Sequence, residues 1–177
     1  GIGEAIDTLS GCVKNWAVEP PDNAAKQLAL GLEGTLPAFY GLGGWQGLVA
    51  NRWKGQFAEN AKRLSMAGSM PEMNHNEILG WQGAAGLEAK LAVVLLHGGD
   101  ESPKMLARAR VTRELIHNAE FFEAHAQGDS LLAKILTLTS LGDFVSIYSA
   151  ALTGVDPGDI GPLDILKAQL SKVHDEV

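Results

Sequence analysis

Between Met70 and Ile78 the chain reads Met-Pro-Glu-Met-Asn-His-Asn-Glu-Ile, six polar or amphipathic residues behind a proline and ahead of a helical pattern. Such a run at the end of a strand has the character of a site loop, because carboxylate, amide and imidazole groups are gathered where backbone geometry is free to vary. Upstream, Glu59 closes a helical stretch whose apolar positions include Leu48, Val49, Trp53 and Phe57. A carboxylate at a helix C-terminus opposes the helix dipole. Periodicity alone nevertheless favours an exposed residue beside Lys62.

Two other patterns could do chemistry. Gly41-Leu42-Gly43-Gly44-Trp45-Gln46-Gly47 lies between a predicted strand and a predicted helix, where backbone N–H groups could face an anion. It is not a dinucleotide fingerprint, since the third glycine falls one place late and no acidic residue follows at ribose spacing, and it lacks the Lys-Ser/Thr of a P-loop. A plain tight turn is the favoured reading. Of the histidines, His75, His97, His117, His125 and His174 form no HxH or HxxxH pair and there is no cysteine cluster, so no metal site is expected. His117 and His125 read as flanking a strand at the surface.

The elements that must position these groups alternate. A helical stripe at Ile2, Ala5, Ile6, Leu9 and Val13 is followed by a break at Pro20-Pro21, with Asp22 placed to cap a helix over 23–32. Strands are predicted at 36–40, 64–70, 91–96 and 121–126. Helices are predicted at 45–63, near 76–81, at 102–118 with Ser102 as N-cap and Pro103 in the first turn, at 129–152, and as a last amphipathic helix at 162–173. Leu91 to Leu96 is the clearest buried strand, apolar throughout and closed by Gly98-Gly99, and is expected inside the sheet. The alternation predicts an α/β fold with a parallel sheet covered on both faces, divided into leading helices over 1–35 and a main domain over 36–177.

Composition bounds the rest. A chain of 177 residues with 46% hydrophobic content suits one domain with a sizeable core. The net charge of −7 argues against nucleic-acid or anionic-membrane partners. Cys12 stands alone, which rules out an intramolecular disulfide and fits a reducing cytoplasm. The longest apolar run, Leu91 to Leu96, is too short to span a bilayer, and the acid-containing first ten residues do not read as a signal peptide. Gly1 in place of Met reads as a cleavage scar on a piece of something longer.

Ala58-Glu59-Asn60-Ala61-Lys62 followed by Pro71-Glu72-Met73-Asn74-His75-Asn76-Glu77-Ile78-x-Gly80-Trp81 is similar to the signature of the second sugar isomerase (SIS) domain of bifunctional phosphoglucose/phosphomannose isomerases. Val155-Asp156-Pro157 through Asp164-x-Leu166-Lys167 resembles that family's C-terminal segment. The resemblance implies a flavodoxin-like three-layer sandwich with a five-stranded parallel sheet, and interconversion of aldose and ketose hexose 6-phosphates with no cofactor or metal. It implies that Glu59 is the general base moving a proton between C2 and C1. It further implies that His75 assists ring opening in a neighbouring subunit's site, and that Lys167 aids ring opening or steadies the enediolate. Gly43, Gly44, Asn60 and Asn76 are implied as substrate-binding, in a homodimer. The family grips phosphate through Ser/Thr residues of a first SIS domain and uses an Arg ahead of this region; neither lies in this chain. Ile160 stands where a hydroxyl-bearing residue is expected, which bears on mannose 6-phosphate. The alternative is a non-catalytic SIS module that binds a phosphosugar for regulation or serves dimerisation.

Overall fold

The computed structural model describes residues 1–18, 23–87 and 89–173. Four parallel strands, β1 (Thr35–Gly41), β2 (Met66–Ser69), β3 (Lys90–His97) and β4 (Ala119–His125), lie in the order β2-β1-β3-β4. The order reverses between β1 and β3, the switch point of a doubly wound sheet. β3 is interior, as its continuous apolar run requires, with every residue from Leu91 to His97 buried. β4 is an edge and carries Glu120 and Glu123, charges that discourage further pairing.

Helices cover both faces. On one side α1 (Ile2–Ala17), α2 (Ala24–Gly31), α3 (Gly44–Ala61) and α6 (Leu131–Thr153) enclose a core with Phe39, Val94 and Leu96 from the strands and Trp53, Phe57 and Leu138 from the helices. On the other, a 3-10 turn (Glu72–Asn74), α4 (Glu77–Gly83) and α5 (Pro103–Leu115) enclose Tyr40, Val93 and Leu95 with Met73, Trp81 and Ala109. Each large apolar side chain removed from water in these clusters contributes about 1.5–3 kcal/mol.

Local signals set the element ends. Ser102 Oγ accepts from Met105 N–H and Pro103 occupies the first turn of α5, as predicted. Asp22 lies outside the described residues; the cap of α2 is Asn23, whose Oδ1 accepts from Lys26 N–H. Of the predicted stripe on the first helix, Ala5 is buried and Leu9 and Val13 half-buried, with Trp16 completing the inward face, while Ile2 and Ile6 are exposed. In α3 the buried line is Val49, Trp53 and Phe57, which leaves Leu48 outside.

The sheet has four strands among the described residues, not the five that the resemblance implied. The reason is chemical: after α6 the chain is Val155-Asp156-Pro157-Gly158-Asp159, with no β-branched apolar run to add to an edge. It turns instead into α7 (Gly161–Leu170), which buries no residue and exposes Leu163, Ile165, Leu166 and Leu170. By length and composition α6 alone among the described helices could cross a membrane, but it is a core helix, with Leu138, Leu141 and Val145 buried against the sheet layer.

Candidate active site

Glu59 stands on the last turn of α3, and the way that helix ends determines what the carboxylate meets. Lys62 takes up the left-handed conformation (φ 54°) that terminates α3, and its N–H donates to the Phe57 carbonyl. Its ammonium donates to the backbone carbonyl of Glu59 at 2.6 Å and to that of Pro157 at 3.2 Å. The Arg63 guanidinium donates to the carbonyls of Leu32, at 2.7 Å, and of Thr35. Lys62 thus serves a carbonyl of the last turn of α3 and ties it to the segment after α6, while Arg63 ties the helix end to the chain between α2 and β1. Lys62 is engaged by the backbone of Glu59 and not by its side chain. Among the described residues the Glu59 carboxylate has no hydrogen bond or ion pair, and it is exposed.

That free carboxylate borders a pocket of about 500 Å³, with Glu59, Asn60 and Lys62 on the α3 side and Pro157, Ile160 and Leu163 on the other. The volume falls in the range of small-molecule sites. Asn60 is held by its Nδ2, which donates to Ser146 Oγ of α6 at 2.8 Å. The helix beneath is stiff because Gly142 of α6 lets Trp53 of α3 close onto it. A Cβ at position 142 would overlap the indole ring, whose Nε1 donates to the Leu138 carbonyl at 2.9 Å. Lys167 is exposed on α7, four residues beyond Leu163 and so on the same helical face one turn on. A carboxylate on a rigid helix beside such a pocket can take and return a proton.

His75 lies elsewhere. It follows the 3-10 turn on the opposite face of the sheet, with its imidazole exposed and its loop fastened on both sides. Met73 is fully buried, and Asn74 Nδ2 donates to Thr112 Oγ1 at 2.8 Å. Asn76 caps α4, accepting from Glu77 N–H at 2.6 Å and donating to Glu72 Oε1 at 3.2 Å. Behind it, Trp81 Nε1 donates to Tyr40 Oη at 3.3 Å and Tyr40 donates to Glu77 Oε2 at 2.9 Å. Burial pushes the pKa of the Tyr40 hydroxyl up, so it stays a donor to the carboxylate. The sequence reading left Tyr40, Glu77 and Trp81 without a role. The available signal was a tyrosine inside a buried strand, whose hydroxyl must find a partner, and a Glu–Trp pair at i,i+4 spacing to supply it.

Gly43 and Gly44 sit at the carboxyl edge, where α3 begins. Gly43 has φ 145°, a backbone region closed to other residues, and permits the tight exit from β1. From Gly44 to Glu59 the helix runs about 22 Å at 1.5 Å per residue, so these glycines are remote from the carboxylate. In the neighbouring loop after β3, the N–H groups of Gly98 and Gly99 donate to the Glu101 carboxylate, which fills the place an external anion would take. The structure therefore brings Glu59 and Asn60 to one pocket, leaves Lys167 exposed on α7 outside the lining of that pocket, and keeps His75 and Asn76 on the other face of the sheet and Gly43 and Gly44 at its carboxyl edge.

The histidine pattern also changes in three dimensions. His117 and His125 flank β4 and are exposed, as read, but His97 and His125 are register partners across β3 and β4. Burial pushes the pKa of the His97 imidazole down, with the nearby His125 adding to the effect and Glu101 and Glu123 opposing it. His174 lies outside the described residues.

A family model described as the bacterial phospho-glucose isomerase C-terminal SIS domain matches residues 21–170. The chain is 34% identical to a bifunctional phosphoglucose/phosphomannose isomerase of Caldicellulosiruptor bescii, over 98% of this chain and 52% of that protein. It is 30% identical to the protein of the same description from Aquifex aeolicus, over 97% of this chain and 54% of that one. It therefore spans about half the length of the curated relatives it matches. Among solved structures, a glucose-6-phosphate isomerase like protein of Thermus thermophilus superposes with a TM-score of 0.72 at 28% identity, covering 94% of this chain and 55% of that one. A glucosamine-6-phosphate deaminase of Thermotoga maritima, at 13% identity and a TM-score of 0.60 over 87% of this chain and 45% of that one, shares the fold alone. With most of its length matched by the family model and by these relatives, the chain belongs to the bacterial phosphoglucose isomerase C-terminal SIS domain family.

Proposed function

We propose that this chain is the acid–base half of a two-SIS-domain isomerase that interconverts glucose 6-phosphate or mannose 6-phosphate with fructose 6-phosphate. The observation that carries the reading is the Glu59 carboxylate, unpaired among the described residues, on a stiff helix at the rim of an approximately 500 Å³ pocket. Family membership and the half-length match to bifunctional isomerases support it.

In this reading Glu59 takes the proton from C2 of the open-chain aldose, leaving a planar cis-enediolate; a proton passes from O2 to O1, and Glu59 returns its proton to C1 to give the ketose. A planar intermediate can be reprotonated at C2 from either side, which accounts for glucose and mannose epimers reaching one ketose. Lys167, on the face of α7 that continues from Leu163, steadies the negative charge growing on the sugar oxygens. His75 of the partner subunit assists ring opening, since this chain's own His75 lies behind its sheet. The phosphate is held by the other SIS domain. The loop after β3 supports this division, because its backbone N–H groups are already taken by Glu101. Asn60, fixed by Ser146, lines the sugar pocket. Gly43, Gly44 and Asn76 serve turn and cap, and any contact they make with substrate would come from a neighbouring chain's pocket.

The test is the C2 proton. In the two-domain enzyme, Glu59→Gln should slow exchange of the C2 proton of glucose 6-phosphate with solvent deuterium by about 10²–10⁴-fold, the scale of general-base removal. Exchange at the wild-type rate would place the base elsewhere.

A further inference from the structure

At the carboxyl ends of β3 and β4, three potential ligands converge, two from β4 and one from β3. The parallel register sets His97 opposite His125, and their rings stack with centroids 4.5 Å apart and planes inclined by 25°. Glu123, two residues before His125 and so on the same face of β4, places Oε2 at 3.8 Å from His97 Nε2 and 3.5 Å from His125 Nε2. One ligand atom from each of the three lies within 4.8 Å of the others.

The structure assigns His97, Glu123 and His125 as a binding site for a divalent transition-metal ion of the zinc type. A tetrahedral ion with ligands at about 2.1 Å has ligand–ligand edges of about 3.4 Å, so the two carboxylate–imidazole separations are close to one coordination shell before any ion draws them in. Two imidazoles and a carboxylate form a known donor set for zinc and leave a fourth position open. The observation that points to a ligand is His97 itself. It is only 8% exposed, yet its Nε2 is buried with no hydrogen-bond partner among the described residues, a state that costs free energy unless something is bound there.

The surroundings prepare the set. Arg113 Nη1 donates to Glu123 Oε1 at 3.3 Å, so one carboxylate oxygen is fixed from behind and the other is turned toward the imidazoles. Arg113 also donates to the Phe121 carbonyl at 3.3 Å and lies over the Phe121 ring, which anchors the guanidinium to β4. The open position gives onto a pocket of about 320 Å³ under α5, lined by His97, Leu106, Arg110, Arg113 and Glu123. Its occupant would be a water or another oxygen donor. An ion here would tie the edge strand β4 to the interior strand β3. It stands apart from the Glu59 pocket, takes no part in the proposed isomerisation, and does not depend on that reading.

The test is cobalt titration of the tag-free full chain after treatment with a chelator, read by visible absorption and by the melting temperature. The wild-type protein should bind one Co²⁺ per chain with the intense bands of a four- or five-coordinate ion, lose them on adding Zn²⁺, and melt higher with either metal. His125→Gln and Glu123→Gln replace exposed groups and should not disturb the fold, and each should weaken that equivalent by at least tenfold. His117→Gln should leave it unchanged. No saturable equivalent in the wild type, or one whose affinity survives His125→Gln and Glu123→Gln within tenfold, would overturn the assignment.

Discussion

The end of α3 and the loop that carries His75 make opposite use of their surroundings. Among the described residues nothing is bound to the Glu59 carboxylate, while its supports are fixed: Trp53 closed onto Gly142, Asn60 bonded to Ser146, Lys62 fastened to two backbone carbonyls. At the His75 loop the supports are a buried Met73 and a hydrogen-bonded chain from Trp81 through Tyr40 to the exposed Glu77, and the imidazole is exposed. A four-stranded sheet lies between the two. The contrast is between two exposed side chains on opposite faces of the sheet, each carried on fixed supports. α7, which buries no residue and exposes Leu163, Ile165, Leu166 and Leu170, adds an apolar surface beside the Glu59 pocket.

Substitutions on each side should break one half of the comparison and spare the other. The largest effects should come from the reactive groups in the two-domain enzyme. Glu59→Gln and His75→Ala should each lower kcat for fructose 6-phosphate formation by about 10²–10⁴-fold, with KM changing far less. Equal loss of activity from a sugar supplied already in open-chain form would remove His75 from ring opening, since only the cyclic substrate needs that step.

Gly142→Ala should strike the Glu59 side alone. The added methyl meets the Trp53 ring and not a yielding side-chain tip, so unfolding free energy should fall by about 1–3 kcal/mol in denaturant titration. An unchanged midpoint would mean that α6 and α3 are less closely packed than described. Tyr40→Phe should strike the His75 side alone. It leaves Trp81 Nε1 and a Glu77 oxygen without their partner and should cost about 1–2 kcal/mol. Amide exchange should then quicken over 72–83 and stay slow in α3; quickening in α3 would mean that the two sides are coupled. Lys62→Met should do least. Its ties are exposed, and a loss under about 1 kcal/mol is expected, with looser attachment of the segment at Pro157.

Much of this frame is legible in the residues because local rules decided it. The β-branched, apolar run Leu91 to Leu96 suits a strand buried on both faces, and Ser102-Pro103 suits a helix start. The pattern also contained four strands; the fifth came from the resemblance, and the Asp-, Pro- and Gly-rich segment after α6 has nothing with which to build it. Periodicity identified α1 and α3 but not their rotation, so Ile2, Ile6 and Leu48 were counted inward although neighbours a residue or so away carry the contact. The Glu59 pocket depends on where the chain returns after α6, a tertiary fact with no local signal. His97, Glu123 and His125 meet because β4 pairs with β3, and a spacing rule that searches along one chain segment cannot see it.

The central claim is that Glu59 and His75 act in one site only when supplied by two chains. Glu59→Gln and His75→Ala variants of the two-domain enzyme, each inactive, are mixed in equal amounts and allowed to exchange subunits. About half the dimers become heterodimers, each with one site holding both native residues and one holding neither. The account predicts that activity returns to about a quarter of the wild-type level by this two-fold arithmetic. If subunit exchange is demonstrated and the mixture stays inactive, His75 serves its own chain's Glu59, and the division of the site across the sheet is wrong.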